Sequence, residues 1–167
     1  MIMTYAQCLQ VYGTDYQIKK KIKEGKLFQK EKGLYSDTRF CSDLEVISVK
    51  YPNAVFSGSS AYYYYGLTDV ISEKYMLTTK REDSRIKSKT IKQNFAKDNI
   101  YEFGITNMEY QNTIIRIYSK ERLLVDLIRF RSRYPLDYYK EIISGYRNIL
   151  DELDFFMRCC LKTETKS

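Results

Sequence analysis

The segment YGTDYQIKKKIKEGKLFQKEKGLYS, residues 12–36, decides the fold of the N-terminal part of this chain. Thr14 begins the capping box T-D-Y-Q, in which its hydroxyl accepts the amide proton of Gln17 while the Gln17 side chain bonds back. A helix over about residues 15–24 follows, and Gly25 ends it. The segment therefore predicts a capped helix directly after a tight turn.

Helical periodicity divides this predicted helix into two faces. Ile18 and Ile22 stand four residues apart and share the side that we expect to be buried. The opposite side is polar and basic, with Tyr16, Lys20 and Lys23 at its centre and Gln17 and Lys19 beside them. Such a face is typical of a helix that lies against a polyanion, although a purely solvated face is the alternative.

A hairpin is predicted directly after the helix. LFQK, the turn E-K-G and LYS read as two short strands over residues 27–36, with Gly33 supplying the positive φ of the turn. Lys30 and Lys32 are expected near its tip. Before the helix, residues 4–11 predict a shorter helix that ends at Tyr12-Gly13, and only Met1 to Met3 precede it.

A helix, a tight turn, a capped basic helix and a basic hairpin together describe a winged helix-turn-helix. In that fold the second helix enters the major groove of DNA. Gln17 can recognise adenine, whereas lysines mostly hold phosphates. The DNA-binding residues predicted on this basis are Thr14, Tyr16, Gln17, Lys19, Lys20, Lys23, Lys30 and Lys32. The alternative is a small helix–hairpin unit whose lysines face water.

The rest of the chain predicts a mixed α/β domain that ends in two or three helices. A helix at residues 44–51 should stop before Pro52. Strands are predicted in the segments AVFS (54–57), YMLTT (75–79), IYEFGI (100–105) and TIIRIY (113–118), and residues 81–99 stay unassigned. The fold class is therefore α+β, with predicted domains at 1–40 and 45–155 and a frayed tail at 156–167.

Two helices close the predicted domain. The first begins after Ser119 as its N-cap and presents an apolar face of Leu123, Leu124, Leu127 and Ile128. On its polar side, Arg122 and Asp126 stand four residues apart, and Arg129 follows one turn later. The second helix spans about residues 136–150.

The stretch FSGSSAYYYYGLTD, residues 56–69, is the segment that most resembles a catalytic motif. It lacks the G-K-[ST] of a P-loop and the last glycine of a G-x-S-x-G elbow. Gly58-Ser59 followed by Asp69 resembles a nucleotidyltransferase signature, but Ile71 replaces the second carboxylate that two-metal chemistry needs. The simpler interpretation is a helix capped by Ser57 or Ser59 and ended by Gly66.

Composition narrows the function further. The 167-residue chain contains no histidine, which excludes histidine-dependent triads and histidine metal sites within it. The sequence contains no run of roughly 18 apolar residues, the length that a membrane-spanning helix needs. The four cysteines form no C-x-x-C pair, which favours free thiols in a cytoplasmic protein. The net charge of +7 includes a basic stretch at residues 74–97 that suits DNA or RNA.

Three blocks in this order resemble the AbiEi family of antitoxin regulators: residues 12–36, residues 56–69, and IRIYSKERLLVDLIR at residues 115–129. The resemblance implies an N-terminal winged helix that binds operator DNA and represses its own operon. It also implies a second domain that counteracts a nucleotidyltransferase toxin, without a stable complex of the two proteins. The residues that match the signature of that second domain are Ser60, Ala61, Gly66, Leu67, Glu121, Arg122, Asp126 and Arg129.

The sequence therefore predicts a non-catalytic, cytoplasmic antitoxin and autorepressor with no cofactor and no metal. Its expected partners are double-stranded operator DNA and a functionally linked toxin, and no membrane. Within the signature, Glu121 to Arg129 could form an antitoxin surface or a polar network that anchors a helix. The alternative function is a nucleotide-dependent enzyme, or a degenerate nucleotidyltransferase, that acts through Gly58–Asp69. A third possibility is direct RNA binding by residues 74–97.

Overall fold

The computed structural model describes the backbone of residues 1–164 and the side chains of residues 1–150. Over this range the chain combines helices with two β-sheets, as the predicted α+β class requires. It divides into two compact units. The first contains Met1–Ala54 and Asn107–Arg116, and the second contains Val55–Thr106 and the chain from Ile117 onward. The predicted domain boundaries stay a prediction, because compactness alone does not show which segments fold independently.

The first unit alternates short strands and helices. Its elements are β1 (Ile2–Thr4), α1 (Tyr5–Tyr12), α2 (Asp15–Lys23), β2 (Phe28–Glu31), β3 (Leu34–Ser36) and α3 (Asp43–Lys50). The strands form an antiparallel sheet in the order β1-β3-β2, in which Ile2 pairs with Ser36 and Thr4 with Leu34. The residues that precede the first helix thus form a strand, which the sequence did not predict.

Threonine caps begin both α1 and α2. The Oγ1 atom of Thr14 accepts a hydrogen bond of 3.3 Å from the Gln17 amide, but in the described structure Gln17 does not bond back. The predicted capping box at this position is therefore only half formed. The complete reciprocal box lies at the start of α1, between Thr4 and Gln7. Gly13, with a φ of 81°, makes the tight turn between the two helices.

The core of the first unit lies between its helices and its sheet. Met3, Cys8, Ile18 and Leu27 are buried together, and Ile22 packs against them with partial exposure. The predicted apolar face of α2 is confirmed. Because Ile18 and Ile22 are held inward, the polar face of the same helix is directed to solvent.

The second unit contains a five-stranded sheet and its helices, with some residues of β7 and β8 belonging to the first unit. In chain order the elements are β4 (Val55–Phe56), α4 (Gly58–Tyr64), β5 (Tyr75–Lys80), β6 (Ile91–Ala96), α5 (Asp98–Tyr101), β7 (Ile105–Tyr110), β8 (Thr113–Tyr118), α6 (Lys120–Arg129), a 3-10 helix (Arg131–Arg133) and α7 (Leu136–Glu164). The strand order is β6-β5-β4-β8-β7. β4 is antiparallel to β5 and parallel to β8, and β5 is parallel to β6.

The predicted strand at residues 100–105 is wrong. Residues 98–101 form α5, which places Tyr101 in the core at 2% exposure, and β7 begins only at Ile105. The six-residue segment IYEFGI does not distinguish a strand from a buried helical turn, because it is shorter than the window in which periodicity is informative. The prediction also left out β6, which occupies the unassigned segment 81–99.

The two helices after β8 confirm one part of the prediction and correct another. Ser119 caps α6, and Leu123 and Leu127 are fully buried. Ile128, expected on the same face, is 58% exposed, whereas Arg122 is buried at 8% exposure. The buried face of α6 is therefore rotated towards Arg122.

The predicted last helix extends further than expected. α7 continues to Glu164, and the remaining residues of the predicted frayed tail, 165–167, lie outside the described part of the chain. Gly145 lets α7 approach the turn after α4, because a Cβ atom there would stand 3.0 Å from the Leu67 carbonyl oxygen. Within the described residues, no helix is both long and apolar enough to cross a membrane.

Candidate functional site

The polar face of α2 is an exposed basic surface that carries several of the predicted site residues. Tyr16 is 72% exposed although it is a large aromatic side chain, and Gln17, Lys20 and Lys23 are also exposed. Lys20 and Lys23 form no salt bridge with any side chain of the described residues. Their charges are therefore available to an anionic partner.

Lys19 differs from these two lysines. Its Nζ atom lies 2.7 Å from a carboxylate oxygen of Asp15, one turn earlier on the same helix. This hydrogen bond raises the pKa of Lys19 and lowers the pKa of Asp15. Tyr5 donates a further hydrogen bond of 3.4 Å to Asp15. Because its charge is neutralised locally, Lys19 is a weaker candidate for a phosphate contact than Lys20 or Lys23.

The predicted hairpin forms, but its two lysines behave differently. Gly33 adopts a φ of 82° in the turn between β2 and β3, and its carbonyl accepts a hydrogen bond of 2.9 Å from the Tyr5 amide. Lys32 is exposed at the tip. The Lys30 amino group instead donates to the Arg39 carbonyl and lies 5.7 Å from the centre of the Phe28 ring. Only Lys32 extends the basic surface outward.

Thr14 belongs to this surface as a structural residue. Its hydroxyl already accepts the hydrogen bond from Gln17 that caps α2. The cap fixes the first turn of the helix, and this turn carries Tyr16 and Gln17. The structure thus brings Tyr16, Gln17, Lys20 and Lys23 together on one helix, with Lys32 on the hairpin that follows in the chain.

In the second unit, Ser60 and Gly66 have structural roles. The Ser60 Oγ atom accepts a hydrogen bond of 2.8 Å from the Met76 amide, which ties α4 to β5. Gly66 ends the tyrosine-rich helix with a φ of 67°. Ser57 is the N-cap of α4, but its hydroxyl accepts a bond of 2.8 Å from Thr78 instead of capping the helix. Ser57 therefore occupies the predicted N-cap position, but the predicted hydrogen bond from its side chain to the helix does not form.

Arg122 and Asp126 form a buried network. The Arg122 Nε atom donates to Asp126 over 2.9 Å, and its Nη1 atom donates to the carbonyls of Ile100 and Phe103 over 2.7 and 3.3 Å. The guanidinium also stacks 4.9 Å from the centre of the Tyr118 ring. The position predicted for Arg122 on the exposed polar side is wrong, because burial and these bonds hold it against α5 and the loop after it.

Gly104 makes room for this network. A Cβ atom at Gly104 would stand 2.7 Å from the Cβ atom of Arg122, and the φ of Gly104 is 75°. The outer members of the four-residue motif, Glu121 and Arg129, are exposed. Glu121 accepts hydrogen bonds from its own backbone amide and from the Ser119 hydroxyl, which lower its pKa. The motif therefore has a structural centre and an exposed residue at each end.

A cleft of about 1020 Å³ lies in the second unit, beside the Gly58-Ser59 turn. Side chains from β5, β6, α6, the 3-10 helix and α7 line it. The sequence had marked residues 74–97 as basic but could not place Lys74, Lys92 and Lys97 next to Arg133 in one cleft. In the sequence these four residues share only their positive charge. They lie on separate elements, so no motif or periodicity groups them.

The alternative catalytic residue Asp69 is not among the side chains that line this cleft. Its amide donates a hydrogen bond of 3.0 Å to Glu141, and the neighbouring Thr68 hydroxyl donates one of 2.7 Å to the same carboxylate oxygen. Within the described residues, no three His, Cys, Asp or Glu side chains gather where they could hold a metal ion. Neither a scan of protein-family models nor a search of curated proteins finds a match to this chain.

Proposed function

We propose that the chain is a DNA-binding repressor that recognises its operator through α2 and the hairpin that follows it. One observation carries the proposal: Tyr16, Gln17, Lys20 and Lys23 are exposed on one face of a capped helix whose opposite face is buried. A helix of this kind after a tight turn corresponds to the recognition helix of a helix-turn-helix protein. The lysines would hold phosphates, and Gln17 would contact a base edge.

The arrangement around α2 supports a winged helix. The hairpin β2–β3 directly follows α2, and the strand β1 before α1 pairs with β3 to complete a sheet of three strands. Lys32 at the exposed hairpin tip is placed as a wing residue would be, where it could contact the DNA backbone. A strand, β1, directly precedes α1 in the described structure.

For the second unit we propose the antitoxin role that the AbiEi resemblance implies, in a cytoplasmic protein without catalytic activity of its own. Its signature residues support the fold rather than a reaction. Ser60, Gly66, Arg122 and Asp126 form helix ends and buried bonds, which leaves Glu121 and Arg129 as the exposed members. Co-expression with a nucleotidyltransferase encoded beside its gene tests this role, with restored growth as the expected result.

A gel-shift titration tests the DNA-binding proposal. Duplex DNA from immediately upstream of the gene is compared with random duplex over a range of salt concentrations. Lys20→Ala and Lys23→Ala should each weaken binding to both duplexes and reduce the salt slope by about one unit per lost phosphate contact. Gln17→Ala should instead reduce the preference for the upstream duplex.

Lys26→Ala is the matched control. Lys26 is an exposed lysine just after α2, but its Nζ atom lies 3.3 Å from Glu24, so its charge is already compensated. Its substitution should change the affinity for DNA much less than that of Lys20. Equal affinity for the upstream and random duplexes would contradict operator recognition. An effect of Lys26→Ala as large as that of Lys20→Ala would contradict the assignment to α2.

A further inference from the structure

The cleft of the second unit has the size and the lining of a ligand site. Its volume of about 1020 Å³ is at the upper end of the roughly 300–1,000 Å³ that is usual for small-molecule sites. Secondary-structure elements, rather than long loops, provide most of its walls. The backbone positions of most lining residues are therefore defined before any ligand arrives.

The lining is strongly cationic. Five basic side chains line the cleft without forming a salt bridge to any described residue: Lys74, Lys92, Lys97, Arg129 and Arg133. The acidic lining residues are Glu73 and Asp126, and Asp126 is already bonded to Arg122. Unpaired cations that surround one concave site attract an anion, and several of them together suit the multiple charges of a phosphate chain.

Aromatic rings line the same cleft. The guanidinium of Arg133 lies 4.2 Å from the centre of the Phe130 ring, and both residues line the cleft. Flat aromatic and guanidinium surfaces stack on nucleobases regardless of base identity. Tyr138 also lines the cleft, and its buried hydroxyl has no hydrogen-bond partner among the described residues. An unsatisfied buried hydroxyl of this kind is uncommon in a native fold.

We propose that this cleft binds a nucleotide, with its phosphates held by the cationic side chains and its base stacked on the aromatic ones. The ligand is a nucleoside triphosphate or the phosphorylated end of an RNA strand, since both present the same phosphates and base. This site is separate from α2, and the proposal does not depend on operator binding.

Isothermal titration calorimetry of the full chain tests the proposal with ATP, inorganic triphosphate and a short 5′-phosphorylated single-stranded RNA. The double variant Lys74→Ala/Lys92→Ala should lose at least tenfold in affinity for ATP or for the RNA. Phe130→Ala should weaken the binding of ATP and leave the binding of inorganic triphosphate unchanged. Lys74 and Lys92 have exposed side chains and Phe130 is partly exposed, so circular dichroism should show that these variants fold.

The matched control is Lys87→Ala/Lys89→Ala, which removes two exposed lysines of the same basic stretch that do not line the cleft. It should bind ATP and RNA as the unmodified chain does. Cleft-dependent binding of ATP supports a free nucleotide, and cleft-dependent binding of the RNA alone supports an RNA end. No binding of either ligand, or equal loss in the control, overturns the proposal. So does a loss that appears only in Lys20→Ala/Lys23→Ala, which would assign the binding to α2.

Discussion

At the scale of single residues, Arg122 connects more of the second unit than any other described basic side chain. It donates to Asp126 within α6 and to the carbonyls of Ile100 and Phe103. The Ile100 carbonyl lies in the last turn of α5 and the Phe103 carbonyl lies just after it, so neither has a helical hydrogen-bond donor. A buried carbonyl without a donor is energetically costly. A guanidinium meets this need because its several N–H groups lie in one rigid plane.

Arg122→Ala should lower the free energy of unfolding by about 3 kcal/mol. The substitution leaves Asp126 and the two carbonyls without their donor in a largely buried environment. Arg122→Lys should recover only part of this loss, since one ammonium group cannot reproduce the planar set of bonds. Equilibrium urea unfolding at pH 7, monitored by circular dichroism, measures the difference.

Arg129→Ala provides the comparison on the same helix. Arg129 is exposed and forms no salt bridge with the described residues, so its loss should change stability by no more than about 0.5 kcal/mol. If Arg122→Ala were as mild as Arg129→Ala, the network would not anchor α6, and an exposed functional role for Arg122 would become the better interpretation.

At the scale of elements, local signals in the sequence explain which predictions succeeded. The helix α2 and the hairpin after it are predicted correctly because caps, glycines and a period of 3.6 residues all act within a few positions. The strand β1 is missed because three residues carry no period, and its partner Ser36 lies far along the chain. Its pairing depends on β3, which sequence periodicity cannot show.

The two strands missed or misplaced in the second unit have a common physical cause. β6 and β7 are the outermost strands of the sheet order. An edge strand pairs on one side only and is often polar, which protects the sheet from pairing with other chains. The sequence IKQNFA of β6 fits this rule, since Ile91 is its only buried residue. Strand prediction from hydrophobic alternation is therefore weakest at the sheet edges.

The hairpin yields a prediction about its two lysines. Lys32→Ala should weaken binding to any duplex DNA and reduce the salt slope by about one unit, because in the proposed complex this exposed amino group would contact one phosphate. Lys30→Ala should leave the slope nearly unchanged, since its amino group already bonds the Arg39 carbonyl. Gel shifts at several salt concentrations compare the two variants. Equal slopes for both variants would contradict a DNA contact at the hairpin tip.

At the scale of the whole molecule, the two candidate sites differ in how far sequence can reveal them. The face of α2 lies within one helix, so its period alone groups Tyr16, Lys20 and Lys23. The cleft collects side chains from separate strands and helices, such as Lys74 on the approach to β5 and Arg133 before α7. Only the folded topology brings them together, because parallel pairings such as β5–β6 join segments with long connections.

Buried tyrosines should determine how the chain responds to alkaline pH. Burial raises the pKa of Tyr62, Tyr138 and Tyr146, all in the second unit. In the unfolded chain the same phenols lose their protons near pH 10, so above about pH 10 the folded state binds more protons than the unfolded state. The stabilisation from these neutral phenols is therefore complete below that pH and is lost as the pH rises further.

Urea unfolding between pH 7 and 11 should show the free energy of unfolding falling above about pH 10. Tyr62→Phe should reduce this fall, because it removes one buried titrating group. At pH 7 it should cost about 1 kcal/mol, since the Tyr62 hydroxyl donates a hydrogen bond of 3.1 Å to the Leu123 carbonyl. Tyr16→Phe is the control: its ring is 72% exposed and meets water whether the chain is folded or unfolded. An alkaline fall as steep in Tyr62→Phe as in Tyr16→Phe would show that the buried Tyr62 phenol does not contribute to the alkaline loss of stability.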